Sequence, residues 1–167
     1  MDVRNLVKCG LFAALLALCA WLSVPVGTVA FTLQTFGICL ALLILGGKWG
    51  FITISVYLSL GFVGLPVFSG FRGGLSQLAT PNGGFLVGFL LWGLVFWCAE
   101  RLGARPVLGT VLGLAVCYGT AILWISLLYG NSGFLGVFGV YIFPYLLPDC
   151  GKLIGSFLLA RRLKKYA

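Results

Sequence analysis

Long apolar runs, separated by short polar or glycine–proline breaks, fill the chain from end to end. A helix that crosses a bilayer needs about 20 predominantly apolar residues, or slightly fewer where the bilayer thins. Six stretches approach that length: about residues 9–24, 31–45, 49–65, 83–99, 107–129 and 148–165. Pro25–Val26–Gly27 ends the first, Gly46–Gly47–Lys48 the second, Pro66 the third, and Glu100–Arg101 the fourth. The last helix is expected to start near Pro148, a good first-turn residue, and to end at Arg161–Arg162–Leu163–Lys164–Lys165. Two segments do not fit a simple turn: a polar, glycine-rich stretch at 67–82, and an apolar stretch at 130–147 broken by glycines and Pro144.

Composition turns this pattern into a class. The 167 residues are 61% hydrophobic and 8% charged, with a mean hydropathy of +1.14. Soluble domains carry about a quarter charged residues, and disorder requires low hydrophobicity. The chain is therefore expected to be an all-α integral membrane protein forming one domain over residues 1–167. A cleaved signal peptide would explain the basic start and first apolar run, but five further spans make it a retained first helix. Leu16–Ala17–Leu18–Cys19 loosely resembles a lipoprotein cleavage site, with Leu18 too large for the position before the cysteine. Six cysteines are scattered without CxxC or CxxxC spacing, and there is no histidine. They read as small buried apolar residues, and no metal site or cofactor is expected.

The net charge of +8 is a topology signal rather than a nucleic-acid one. Basic residues collect in cytoplasmic loops. Arg4, Lys8, Lys48, Arg101, Arg105, Arg161, Arg162, Lys164 and Lys165, nine of the eleven, fall at the chain ends and alternate loops of a six-span arrangement. Both termini are thus expected in the cytoplasm, with lipid around the bundle. Only Arg72 lies in an outside loop, and Lys152 lies inside the last helix.

Charge within a membrane costs about 2.5–3.5 kcal/mol per group on insertion scales, so Arg72, Asp149 and Lys152 carry the information. Asp149 and Lys152 are spaced i, i+3, on one helical face, with Ser156 a turn further along. The helix dipole favours an acid in the first turn and opposes a base there. The pair is either a self-neutralising bridge that tolerates burial, or a ligand site with an acceptor and a cationic donor at one depth; nothing structural requires the lysine. Arg72 sits in Gly70–Phe71–Arg72–Gly73–Gly74, ahead of Thr80–Pro81–Asn82–Gly83–Gly84. Irregular backbone at membrane depth is tolerated where it lines a cavity, so these loops are expected to cap an outward-facing pocket. An exposed loop with one arginine at the headgroups is the alternative. Gln34 faces that pocket or pairs with another helix. The small residues of helix 1, Ala13 and Ala17 among them, permit close helix contact, either within the bundle or with a partner.

These segments, in order, resemble the BioY family, the biotin-specific S components of energy-coupling factor (ECF) transporters. The resemblance rests on Pro25–Val26–Gly27 followed by Val29–Ala30–Phe31–Thr32–Leu33–Gln34; on Gly64–Leu65–Pro66–Val67–Phe68–Ser69–Gly70 with Gly73–Gly74; on residues 81–89; and on Asp149 with Lys152. Two departures stand out: Asn82 replaces an expected threonine, and Leu147–Pro148–Asp149 replaces Pro-Gly-Asp. The resemblance implies high-affinity capture of biotin outside a prokaryotic cytoplasmic membrane. It also implies as partners a transmembrane coupling protein (T component) and two cytoplasmic ATPases. The chain itself has no GxxxxGK[ST] phosphate loop. In the family an alanine motif on helix 1 docks the coupling protein, and Ala13 and Ala17 match its spacing.

Biotin offers two ureido N–H donors, a carbonyl acceptor, an apolar thioether ring and a carboxylate tail. Asp149 and Asn82 are candidates to accept the ureido hydrogens, and Lys152 to donate to the carbonyl. Phe68, Tyr141 and Tyr145 are candidate apolar walls, and Arg72 a candidate partner for the carboxylate. In the opposite orientation Lys152 holds the carboxylate. A proton-coupled or otherwise solitary carrier using Asp149 is the rival function. An intramembrane enzyme lacks histidine, paired carboxylates and a metal cluster, and a purely structural subunit leaves the buried charges unexplained.

Overall fold

The structure, a computed structural model, describes residues 3–26, 29–129 and 133–166. Helix α1, Val3–Trp21, buries Cys9, Ala13, Leu16, Ala17, Cys19 and Ala20 at three- and four-residue steps. It leaves Val7, Leu11 and Leu18 exposed to the surroundings. Strands β1, Ser23–Val26, and β2, Val29–Thr32, follow as an antiparallel pair with Val24 opposite Phe31. The fold is mostly helical, in keeping with the all-α expectation, with this short hairpin added between two helices. β-Branched residues at 24, 26, 29 and 32 favour extended pairing over helix, so α1 ends before residue 24 and the next helix starts after residue 31. Gly27, the expected turn residue, lies outside the described residues.

Helix α2, Gln34–Val63, is interrupted at Gly46, whose φ of 79° and ψ of 171° break the helical path. Such a backbone is open to glycine and closed to side chains with a Cβ. The chain reverses there, at the expected Gly46–Gly47–Lys48 break. A Cβ on Gly50 would lie 3.0 Å from Leu42 Cα, so the two arms of α2 lie side by side. Helix α3, Pro81–Arg101, has proline in its first turn, and Glu100 near its end accepts the Gly47 N–H at 2.7 Å. A carboxylate thus closes the reversal. Helix α4, Pro106–Tyr129, packs along α3. The two approach closely because Gly88 has no side chain: a Cβ there would lie 3.0 Å from Cys117 Cα.

Helices α5, Gly133–Tyr141, and α6, Phe143–Tyr166, complete the chain. Two expectations change here. The stretch at 130–147, expected to be irregular, contains α5, although residues 130–132 lie outside the described residues. The last helix begins five residues before Pro148, which is inside α6. Asp149 and Lys152 therefore sit in the second and third turns, beyond the reach of the first-turn dipole. Phe143 and the residues after it are compatible with helix. The N–H that Pro148 lacks costs one bond near the helix start, where neighbouring groups can compensate.

Helices α1 to α4 are each long and apolar enough to cross a membrane, so this is a multi-pass membrane protein. The main core joins α1, both arms of α2 and α3 around Leu16, Ile38, Ile54 and Trp92. A second cluster joins α4, α5 and α6 around Tyr118, Ile125, Val137 and Ile142. The site lies between the two.

Candidate ligand-binding site

A cavity enclosing about 650 Å³ of empty space, part of it open to solvent, lies at the end of the bundle that carries the β-hairpin. Ala30 and Thr32 of β2, Gln34 and Thr35 of α2, and Phe68 and Ser69 of the loop after α2 line one side. Gln77, on the 3₁₀ turn Leu75–Ala79, and Asn82, Phe85, Leu86 and Phe89 of α3 line another. Cys117 and Tyr118 of α4 and Tyr145, Asp149 and Lys152 of α6 close the wall.

Asp149 is 4% exposed and engaged by three donors among the described residues. Its Oδ1 accepts from Lys152 Nζ at 2.7 Å and from Thr35 Oγ1 at 3.0 Å, and its Oδ2 accepts from the Tyr118 hydroxyl. Charged groups this deeply buried are tolerated only when paired and hydrogen-bonded. The three donors come from α2, α4 and α6, so the carboxylate ties those helices together across the cavity. Lys152 Nζ also donates to the Thr32 carbonyl at 2.6 Å and sits 3.8 Å from the Phe31 ring centroid. A carboxylate oxygen can accept twice, which leaves one acceptor position on Oδ2.

A second network adjoins the first through Thr32. Gln34 Nε2 donates to the Tyr57 hydroxyl at 2.7 Å, and that hydroxyl donates to the Val67 carbonyl at 3.0 Å. Thr32 Oγ1 donates to Gln34 Oε1 at 3.1 Å. The relay joins β2, the start of α2 and the loop that carries Phe68. Phe68 packs edge-on against Tyr57 and lies so close to Gly61 that a Cβ there would overlap its ring. Trp21 adds a strap from α1, donating to the Pro66 carbonyl at 2.8 Å and stacking on Phe71.

The model of the BioY family matches residues 1–167. The chain belongs to the BioY family. It is 37% identical over 166 residues to the biotin transporter BioY of Thermotoga maritima, covering 98% of this chain and 97% of that protein. The probable biotin transporter BioY of Pyrococcus horikoshii is 34% identical over 165 residues, with 98% of each chain covered. Among solved structures, the S-component for biotin from an ECF-type ABC transporter superposes with a TM-score of 0.84 at 27% identity, over 98% of this chain and 92% of that one.

Of the residues singled out in this BioY sequence, the cavity wall brings together Gln34, Phe68, Asn82, Tyr145, Asp149 and Lys152. Two lie elsewhere. Arg72 is exposed and does not line the cavity; its carbonyl accepts the Phe68 N–H at 2.9 Å. Tyr141 packs against the α4–α5–α6 cluster. Ala13 and Ala17 are a correction: at 5% and 7% exposure they are core residues packed within this chain, not an accessible docking face. The small residues that α1 does expose are Gly10 and Ala14, with open space around Gly10. Thr35, Tyr118 and Tyr57 were not anticipated. Polar residues on otherwise apolar helices were the available signal, since a buried hydroxyl needs a partner.

Proposed function

We propose that this chain captures biotin at the outer face of a prokaryotic cytoplasmic membrane, as the substrate-binding S component of an ECF-type transporter. The curated relatives are named biotin transporters, and the solved neighbour is a biotin S-component. The observation that carries the reading in this chain is the buried Asp149–Lys152 pair in the wall of a cavity that also presents aromatic rings and neutral polar side chains. The spare acceptor position on Asp149 Oδ2 takes a ureido N–H, and Lys152 pairs with the carboxylate and fixes its position. The Asn82 side chain lines the same space and meets the remaining polarity of the head. Phe68, Phe85, Phe89 and Tyr145 enclose the thioether ring.

Counting the arms of α2 separately, α1, α2, α3, α4 and α6 make six spans. The reversal at Gly46 near Lys48, the α3–α4 connection with Arg101 and Arg105, and the basic end of α6 then share the cytoplasmic side, in keeping with the positive-inside rule. The hairpin, the loop at 64–80 and α5 cover the outer end. Energy comes from two cytoplasmic ATPases acting through a transmembrane T component, which docks on the exposed Gly10–Ala14 strip of α1. Small residues four apart let a partner helix approach closely.

The test is equilibrium binding of radiolabelled biotin to the purified protein in detergent. Saturable binding is expected, weakened at least about tenfold in Asp149→Asn, since a hydrogen bond to a charged group contributes about 1.5–3 kcal/mol. Absence of binding by the intact protein would refute the proposal. Uptake of biotin by this protein alone, dependent on pH and independent of ATPases, would favour a solitary carrier instead.

A further inference from the structure

Biotin has two polar ends of different chemistry, a neutral ureido head and an anionic tail, and the cavity is equipped for only one of them. A carboxylate taken out of water requires a cation or several well-placed donors. Of the chain's eleven basic residues, only Lys152 lines the cavity. Its ammonium is already directed at the Asp149 carboxylate at 2.7 Å, the Thr32 carbonyl at 2.6 Å and the face of Phe31 at 3.8 Å. Three N–H bonds thus have three acceptors, and Asp149 balances the charge. A carboxylate seated beside the pair would meet no net positive charge and would be repelled by Asp149.

Arg72 is the other cation on the pocket side, and it is exposed and outside the cavity wall. Residues 25–29 and 129–135 contain no lysine or arginine. The loop side of the cavity offers neutral groups instead. The Ser69 hydroxyl and the Gln77 amide line the wall, and neither side chain has a hydrogen-bond partner among the described residues. A hydroxyl or an amide serves a carboxamide or an ester as well as it serves a carboxylate.

We infer that the site reads the neutral head and is indifferent to the charge of the tail, so biotin derivatives whose carboxylate is converted to an uncharged amide or ester are ligands of the same pocket. The inference rests on the biotin reading and adds an orientation to it, with the ureido ring at Asp149 and the tail towards Ser69 and Gln77. It extends the substrate class from the free acid to tail-conjugated forms.

The experiment is competition against radiolabelled biotin on the purified protein in detergent, using biotin amide, biotin methyl ester and iminobiotin. In iminobiotin a guanidine replaces the urea, so the head loses its carbonyl acceptor. The amide and the ester are expected to compete with affinities within about tenfold of biotin, and iminobiotin to fall at least about a hundredfold short, as expected when buried polar partners are left unmatched. Arg72→Ala is expected to leave biotin affinity within about twofold. Biotin binding with a loss of more than tenfold for both the amide and the ester would overturn this inference alone. So would a loss in Arg72→Ala that is seen for biotin and absent for the amide. Failure of biotin itself to bind would overturn the biotin reading and this inference with it.

Discussion

The Asp149–Lys152 pair admits a purely structural role and a ligand-binding role, and a pair of substitutions separates them. The two side chains are 6% and 8% exposed. Removing one partner of such a pair strands the other charge in a poorly solvated site, at a cost of about 3–5 kcal/mol. Lys152→Met is therefore expected to lower thermal stability sharply, because Asp149 keeps only the Thr35 and Tyr118 hydroxyls. Asp149→Asn also strands a charge, with Lys152 left to the Thr32 carbonyl and the Phe31 ring. Combining the two removes both charges, and neutral replacement of a buried pair is often close to neutral for stability. The double variant should therefore recover most of the lost stability.

Affinity should behave differently. If Asp149 Oδ2 accepts a ureido N–H, losing that charge-assisted bond costs about 1.5–3 kcal/mol, or about 10- to 150-fold at 1.4 kcal/mol per decade. Restoring stability does not restore the carboxylate, so the double variant should stay weak. Thermal unfolding in detergent and radiolabelled biotin titration on the same samples read the two quantities. A double variant that binds as tightly as the native protein would refute the site assignment and leave the pair a structural bridge.

Three further outcomes follow from the packing. Tyr57→Phe strips the relay between Gln34 and Val67, leaving two buried polar groups unmatched at about 1–3 kcal/mol each; biotin affinity should fall about tenfold although Tyr57 does not line the cavity, and unchanged affinity would mean the loop is held by other contacts. Gly47→Ala places a Cβ 2.6 Å from Trp97 Cα and 2.7 Å from Glu100 Oε2; overpacking of this kind costs about 1–3 kcal/mol, so unfolding temperature should drop while biotin affinity holds, because the reversal and the cavity lie at opposite ends of the bundle. Ala14→Trp should abolish ATP-driven uptake by the assembled transporter and spare binding by the solitary subunit, whereas Ala17→Trp should damage the fold itself; uptake that survives Ala14→Trp would remove α1 as the docking face.

The sequence was most readable where an incorrect residue would be most expensive. Glycines at 46 and 47 before a lysine marked the reversal in α2, because one needs a positive φ and the other lies against Trp97 and Glu100. The strands Ser23–Val26 and Val29–Thr32 are hard to see in the sequence because a short valine-rich run between apolar helices looks like the end of one and the start of the next. The start of α6 is obscured for a related reason: Pro148 is a strong first-turn signal, and Pro144, which reads as a break, instead sits in the first turn of α6, where its missing N–H costs no helical bond. Hydrophobic pattern identifies apolar stretches, but inside a membrane it does not separate helix from short strand by period alone.

The same logic governs the site. Two interleaved pairs on α1, Gly10 with Ala14 and Ala13 with Ala17, share the four-residue spacing of close helix contacts, and spacing is blind to which pair faces inward. Packing decides it: Ala13 and Ala17 belong to the core with Leu16 and Ile38. Asp149 and Lys152 were visible because a charge inside a membrane must be compensated. Their hydroxyl partners Thr35 and Tyr118 were not, since a threonine or tyrosine on an apolar helix is cheap enough to occur without a special role. Arg72 shows the limit from the other direction. A cation in a glycine-rich loop reads as a ligand contact, yet in the fold its side chain lies outside the wall while its backbone carbonyl accepts from Phe68. Charge announces itself in a sequence; whether it points into a cavity is decided by loop geometry, and for Arg72 that geometry leaves the side chain exposed and outside the wall.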